Sequence, residues 1–395
     1  MRRWLVLLLL AVILLATFKV SLPVRAGTLE QNVHSEKIDW KQKKPKPVLV
    51  EGEYALGVPS LGGVFMKSSN QASAPIASLT KMMTAVLVIE AHPLGKNQSG
   101  PSIHFNQRDV QILHSDIANG DSVVQIKNGE TMTERQALEA LLIPSGDNIA
   151  TKLAQWVSGS VPKFVAKMNS TAESWGMIHT HYADTSGVDP KTISDAQDQW
   201  LMAAKFMTFP VLREIVSQKS ASVPVAGTVY NYNMLLGTDG IVGIKTGNTS
   251  QAGGNLAAAQ RLSQNHKSIL LISVILGQRS SPPLAKVFKV TPKLLHIAKA
   301  NLISKTLVRK GQRVGNITFP WGQRIVLVAE QSLTISVVPG EHISQTLKLE
   351  TDYRHLHQGV TAGQLTVKTP NNSYLVKVMP ESTYKDPGLL WRILH

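Results

Sequence analysis

After the amphipathic helix Ala285 to Ala300 that follows Pro282-Pro283, the chain changes its hydrophobic period, and that change limits the folds open to it. Downstream, short alternating runs occur at Leu307-Val308, Ile317-Thr318-Phe319, Ile325 to Val328, Leu333 to Val337, Leu347 to Leu349, Leu365 to Val367 and Leu375 to Val378. Gly, Pro and Asn-Asn punctuate them, which predicts a small all-β domain, a sandwich. Upstream the pattern is mixed. Tyr54 to Val58, Gly63 to Met66, Ile241 to Ile244, Asn255 to Ala259 and Ser268 to Leu276 read as strands, with a turn at Pro59-Ser60. The last of these strands is a near-continuous apolar run fit for a central position. Met82 to Ile89, Glu134 to Leu142, Ile149 to Val157 and Asn169 to Trp175 read as helices, the first too apolar to lie on a surface. Helices in the middle and strands at both ends predict an α+β domain whose sheet joins sequence-distant strands.

The chain's 395 residues suffice for two domains and sizeable cores. The absence of Cys excludes disulfides, thiolate metal sites and a cysteine nucleophile, which leaves hydroxyl, amine, carboxylate and imidazole chemistry. The formal charge is +15, yet only 17% of residues are charged, so the basicity comes from scarce acids. A basic exterior suits nucleic acid, acidic lipid heads or anionic wall polymers.

The first segment chooses among these partners. Met1-Arg2-Arg3 is cationic, and Trp4 to Phe18 is apolar without a break. The stretch is shorter than the ~20 residues of a membrane-spanning helix, and Val24-Arg25-Ala26 has small residues where an export peptidase cuts. Residues 1–26 are thus a signal peptide cleaved after Ala26, or an uncleaved anchor given Lys19 and Pro23. Either way the body is exported, to the outer face of the cytoplasmic membrane or the cell wall. That makes nucleic acid no partner and a membrane surface a fitting one. Residues 27–50 read as a basic linker carrying Lys41, Lys43, Lys44 and Lys46, residues 51–284 as the large domain, and 285–304 as a connecting helix. Residues 305–382 form the β-rich domain. In the tail, 383–395, Leu389, Leu390, Trp391, Ile393 and Leu394 surround Arg392, as in a short interfacial helix or a packed end.

Ser78-Leu79-Thr80-Lys81 heads the apolar helix, and residues at i and i+3 share a face. A serine hydroxyl is a poor nucleophile without a base, and a lysine serves as one only when burial or nearby cations favour its amine. Met82, Met83, Val86 and Leu87 supply the burial, and backbone N-H groups at a helix start suit a developing oxyanion. Alone, this fragment equally fits a capping serine beside a surface lysine. Two further fragments follow in order: Pro144-Ser145-Gly146-Asp147-Asn148 before a helix, and Lys245-Thr246-Gly247-Asn248 on a strand. Ser-x-x-Lys, a Ser-x-Asn type triplet and Lys-Thr-Gly together mark penicillin-binding proteins and class A β-lactamases.

On these residues, with Ala74 to Thr84, Leu141 to Ala150, Met168-Asn169, Gly176-Met177, Ser186 to Asp189, Asn233, Leu235-Leu236 and Gly243 to Gly254, the chain resembles the serine D-alanyl-D-alanine carboxypeptidases, peptidase family S11. The likeness covers about Tyr54 to Gly277. It implies a penicillin-binding/β-lactamase-like domain, helices around a central antiparallel sheet. It implies that Ser78 attacks the bond between the last two D-alanines of a peptidoglycan stem peptide and forms an acyl-enzyme. Lys81 would take its proton, and Ser145 would pass one to the leaving D-alanine. Lys245 and Thr246 would bind the terminal carboxylate, Gly247 would let the substrate lie close, and the amides of Ser78 and Asn248 would form the oxyanion hole. β-Lactams would acylate Ser78, and neither cofactor nor metal is implied.

One departure concerns the triplet. Its third place holds Asp147, where the family has Asn, and Asn148 follows. An ionised Asp147 donates no hydrogen bond and, close to Lys81, would weaken the base. Three explanations stand open: Asp147 is tolerated through pairing with the lysines, Asn148 takes over by a local shift, or the chain is an impaired wall-binding homologue. A β-lactamase is disfavoured, because Glu173 is followed by Ser174-Trp175-Gly176-Met177 and no Glu-x-x-Leu-Asn segment occurs. His179-Thr180-His181 is read as ordinary surface, there being no ligand cluster in sequence around it.

Overall fold

A computed structural model describes residues 11–19, 26–39, 50–265 and 267–395. The expected cationic start, the cut-site residues Val24 and Arg25, and Lys41, Lys43, Lys44 and Lys46 lie outside the described residues. Residues 11–19 are helical, and no described helix is long and apolar enough to cross a membrane. The chain divides into two compact units, one within residues 50–302 and one combining 26–39 with 303–395.

The larger unit is built on a five-stranded antiparallel sheet. We label its strands β1 (Glu53–Val58), β2 (Gly63–Lys67), β3 (Ile241–Thr249), β4 (Gly253–Gln264) and β5 (Lys267–Gln278). Their spatial order is β3-β4-β5-β1-β2, so β5 is central, as its apolar run demands, and β3 is an edge. Helix α1 (Lys81–Ala91) carries apolar residues on all sides because it is enclosed: Met82 to Val88 are fully buried. Around it pack the helices Glu134–Leu142, Val161–Ser174, Ala196–Phe206 and α2 (Asp147–Ser158). The helix Glu134–Leu142 starts on a capping box in which Thr133 and Gln136 satisfy each other's backbone amides.

Two boundaries differ from expectation. Helix α3 (Ala285–Ala300) is not a connector between domains. It lays Val287, Val290, Leu294, Leu295 and Ala298 against β4 and β5. Residues 27–39, read as linker, hold two strands of the smaller unit. Thr28–Gln31 pairs with Arg313–Thr318, and Glu36–Lys37 pairs with His342–Leu349. Strands of four and two residues are too short to show a period, and their partners lie about three hundred residues away in sequence.

In the smaller unit the two N-terminal strands are the edges of a seven-stranded antiparallel sheet that also includes Arg324–Ala329, Gly363–Lys368 and Ser373–Pro380. A second ladder, Ile303–Val308 with Leu333–Val337, shares one apolar core with it, as a sandwich requires. The tail forms a short helix, Leu389–Leu394, whose Trp391 meets Trp321 at 5.8 Å while Leu389, Leu390 and Leu394 are exposed.

Candidate active site

Ser78 sits in a 3-10 turn, Ala77–Thr80, that runs directly into α1. Ala77 has a left-handed φ of 49°, and Gly187 packs so closely that a Cβ there would stand 1.8 Å from the Ala77 carbonyl oxygen. The i, i+3 spacing then does what helical geometry predicts: Lys81 Nζ lies 2.7 Å from Ser78 Oγ. Lys81 is fully buried and also donates to the Ser186 carbonyl at 3.1 Å.

Ser145 and Asp147 flank Gly146, the cap residue of α2. Ser145 holds a φ of 66°, which turns its hydroxyl to Lys245 Nζ at 2.9 Å. Lys245 Nζ also donates to the Thr246 carbonyl. Burial, and then the nearby ammonium of Lys81, push Lys245 well below the ordinary lysine range, against an opposing pull from Asp147. Gly247 lies against Ser78, since a Cβ there would stand 3.0 Å from the Ser78 amide nitrogen. Asn248, the next residue on β3, is exposed.

Asp147 spans two partners. Oδ1 is 2.6 Å from Lys81 Nζ, and Oδ2 accepts from the Ser122 amide at 2.9 Å. Asn148 is turned elsewhere: Oδ1 accepts from the Val124 amide and Nδ2 donates to the Val124 carbonyl. Both halves of its amide are therefore spent, and of the three explanations for the inverted pair the local shift of Asn148 is the one this geometry opposes. The two residues together clamp segment 122–124 on the cleft that Ser78 lines. A further acidic neighbour, Asp116, is pushed up to about 6, chiefly by burial and then by Asp121 and Asp147.

Of the expected site residues on these three fragments, all but Asn148 converge on one cleft. Ser78, Ser145, Thr246, Gly247 and Asn248 line its wall, and Lys81, Lys245 and Asp147 stand behind it. Ser122 was not singled out from sequence, and Ser186 was named only within a resembling segment, with no role for its carbonyl. Gly187 was a signal for the latter, being a glycine where Ala77 permits no side chain. Away from the cleft, His179 Nδ1 meets Asp195 Oδ2 at 2.7 Å, so His179 is more than bare surface. Asp198 completes a group of three within 4.8 Å, but it and Asp195 already accept bonds from backbone amides. His181 engages Ile193 through its backbone instead.

Comparison with known proteins agrees with this geometry. A D-alanyl-D-alanine carboxypeptidase DacD of Salmonella typhimurium is 28% identical over 330 residues, covering 81% of this chain and 82% of that protein. DacF of Bacillus subtilis is 26% identical over 299 residues, with 72% of each covered. Among solved structures, penicillin binding protein 6B from Escherichia coli superposes with a TM-score of 0.60 at 23% identity, over 88% of this chain and all of that one. Penicillin binding protein 5 from Haemophilus influenzae gives 0.61 at 22% identity, over 86% and 99%. These likenesses show the α+β fold of penicillin-binding proteins. The sequence profile of the family described as D-alanyl-D-alanine carboxypeptidase, Peptidase_S11, matches residues 53–280, more than half of the chain. With its profile spanning the sheet, the nucleophile turn and all three motif fragments, the chain belongs to the D-alanyl-D-alanine carboxypeptidase family, peptidase S11.

Proposed function

We propose that this protein is a serine D,D-carboxypeptidase that removes the terminal D-alanine of peptidoglycan stem peptides through an acyl-enzyme on Ser78, and that β-lactams acylate the same residue. The observation that carries this reading is the convergence of two pairs, Ser78 Oγ with Lys81 Nζ at 2.7 Å and Ser145 Oγ with Lys245 Nζ at 2.9 Å, on one cleft. A proton acceptor thus lies beside the nucleophile, and a proton donor stands beside the place of the leaving amine.

The reaction begins with the ion pair. Lys81, held as the ammonium by Asp147 at 2.6 Å, loses a proton to water in the cleft and becomes the amine, which then takes the Ser78 proton as Oγ attacks the carbonyl carbon. The pair is then ammonium and carboxylate again, and the Ser78 and Asn248 amides hold the oxyanion. Collapse breaks the C–N bond, and the leaving amine takes a proton from Ser145, resupplied through Lys245. Water then hydrolyses the ester, releasing the shortened stem. The substrate's carboxylate binds Thr246 and Lys245, and its negative charge favours the protonated form of a lysine that burial has made reluctant to hold one.

Export and a hold on the membrane belong to the same reading. Met1-Arg2-Arg3 with the apolar run after it supports export, and cleavage after Ala26 leaves Gly27 leading straight into the strand Thr28–Gln31. The exposed Leu389, Leu390 and Leu394 support a contact of the tail with the outer face of the cytoplasmic membrane. Labelling with a fluorescent penicillin tests the catalytic reading. A band in the wild type that vanishes in Ser78→Ala supports it, together with D-alanine release from a pentapeptide, whereas a wild type that neither labels nor releases D-alanine sinks it. Fractionation with N-terminal sequencing of the mature protein tests the location.

A further inference from the structure

The cleft over Ser78 encloses about 880 Å³, more than two alanines fill, and much of its lining is apolar. Two apolar walls stand at opposite ends of β3. Tyr232 and Met234 belong to the loop whose Asn231 amide donates to the Gln218 carbonyl. That loop sits at the start of β3, where the Gly237 amide bonds the Ile241 carbonyl. Pro283, Leu284 and Phe288 stand at the other end. Gly254 is the register partner of Asn248, and a Cβ on Gly254 would meet the Pro283 carbonyl oxygen at 2.7 Å.

Ser78 lies between the two walls, level with Gly247, and Lys245 lies toward the start of the strand. A ligand whose carboxylate reaches Lys245 and whose carbonyl reaches Ser78 must therefore run its acyl half toward Asn248 and on to Leu284 and Phe288. Among the described residues no charged side chain lines that end of the cleft. Lys286, on the same turn of α3, is drawn into an ion pair with Glu51.

We propose that Leu284 and Phe288 form a specificity pocket for an apolar group, of aryl or long aliphatic size, carried on the acyl half of the ligand. This rests on the reading of Ser78 as the acylated residue and adds the class of acyl group that the site prefers. Apolar pockets of this kind discriminate by excluding water from a matching group, and loss of one good contact costs about tenfold or more.

The test compares two probes that share one reactive ring, benzylpenicillin with its phenylacetyl group and 6-aminopenicillanic acid without it, by second-order rates of acylation of the full chain. The wild type is expected to react at least tenfold faster with benzylpenicillin. In Leu284→Ala/Phe288→Ala the ratio falls to within about twofold, the fall coming from the benzylpenicillin rate. Phe288→Leu, a milder change that keeps the pocket filled, gives an intermediate ratio. Lys289→Ala, on the exposed side of α3, keeps the wild-type ratio. A wild-type ratio near one, or a ratio retained in both pocket variants, overturns the proposal. A wild type that neither probe acylates overturns the Ser78 reading itself, so the two failures are told apart.

Discussion

Replacing Asp147 by Asn tests the electrostatics of the site with the least disturbance of its shape. Asn is isosteric, and its carbonyl oxygen keeps the bond from the Ser122 amide that Asp147 Oδ2 now accepts at 2.9 Å. What disappears is the charge facing Lys81 Nζ at 2.6 Å. At an effective dielectric near 20, two unit charges at that distance attract by about 6 kcal/mol, and the desolvation of two buried ions offsets most of it. A net release on the order of 1–3 kcal/mol remains, which converts to roughly ten- to a hundredfold in rate if all of it lowers the cost of forming the Lys81 amine. The assay is stopped-flow acylation by a fluorescent penicillin across pH 5 to 10, on wild type and Asp147→Asn. We expect the variant to acylate faster at pH 7 and its acid limb to move to lower pH. A rate at pH 7 that is equal or slower, with the acid limb unmoved, refutes the account in which Asp147 restrains the base.

Glu134 is fully buried with neither carboxylate oxygen hydrogen-bonded, and burial pushes it from 4.5 up to about 7. The folded state then binds the extra proton, so stability is complete below about pH 4.5 and falls as pH rises to 7, by on the order of 3 kcal/mol. Glu134→Gln should flatten that part of the unfolding-temperature profile, and an unchanged slope between pH 4.5 and 8 counts against it. Gly187→Ala drives a Cβ into the Ala77 carbonyl oxygen at a φ of 89°, so penicillin labelling should fall by at least a hundredfold; wild-type labelling would show that the nucleophile turn tolerates displacement. Asn148→Ala leaves both backbone polar groups of buried Val124 without their side-chain partner, at a cost of about 2–4 kcal/mol in denaturant unfolding. A loss under about 0.5 kcal/mol would mean that the clamp on segment 122–124 is dispensable.

Much of the fold was legible because it is written in local periods. The apolar run of β5 and the all-round apolar α1 could only be central elements, and the alternating runs after Leu307 are the strands of the smaller unit. Elements with weak periods were missed. Gln107–Asn119 buries only Asp109 and Leu113, Pro210–Val216 is only seven residues long, and Thr28–Gln31 becomes a strand only because Arg313–Thr318 offers it an edge.

The same division runs through the site. By itself the sequence determined that Ser78 and Lys81 meet, because they are one helical turn apart and a short covalent path leaves them little choice. It also determined which fragments belong together, through the order of Ser145 and Lys245-Thr246-Gly247. Only the tertiary structure decided who pairs with whom among the polar groups. Lys245 meets Ser145 across one hundred residues, Asp147 takes Lys81, and Asn148 turns to Val124. The reason is physical: a hydrogen bond reaches about 3 Å, and which groups come within that distance depends on how β3, α2 and the Ser122 segment pack, a non-local outcome that no residue spacing encodes.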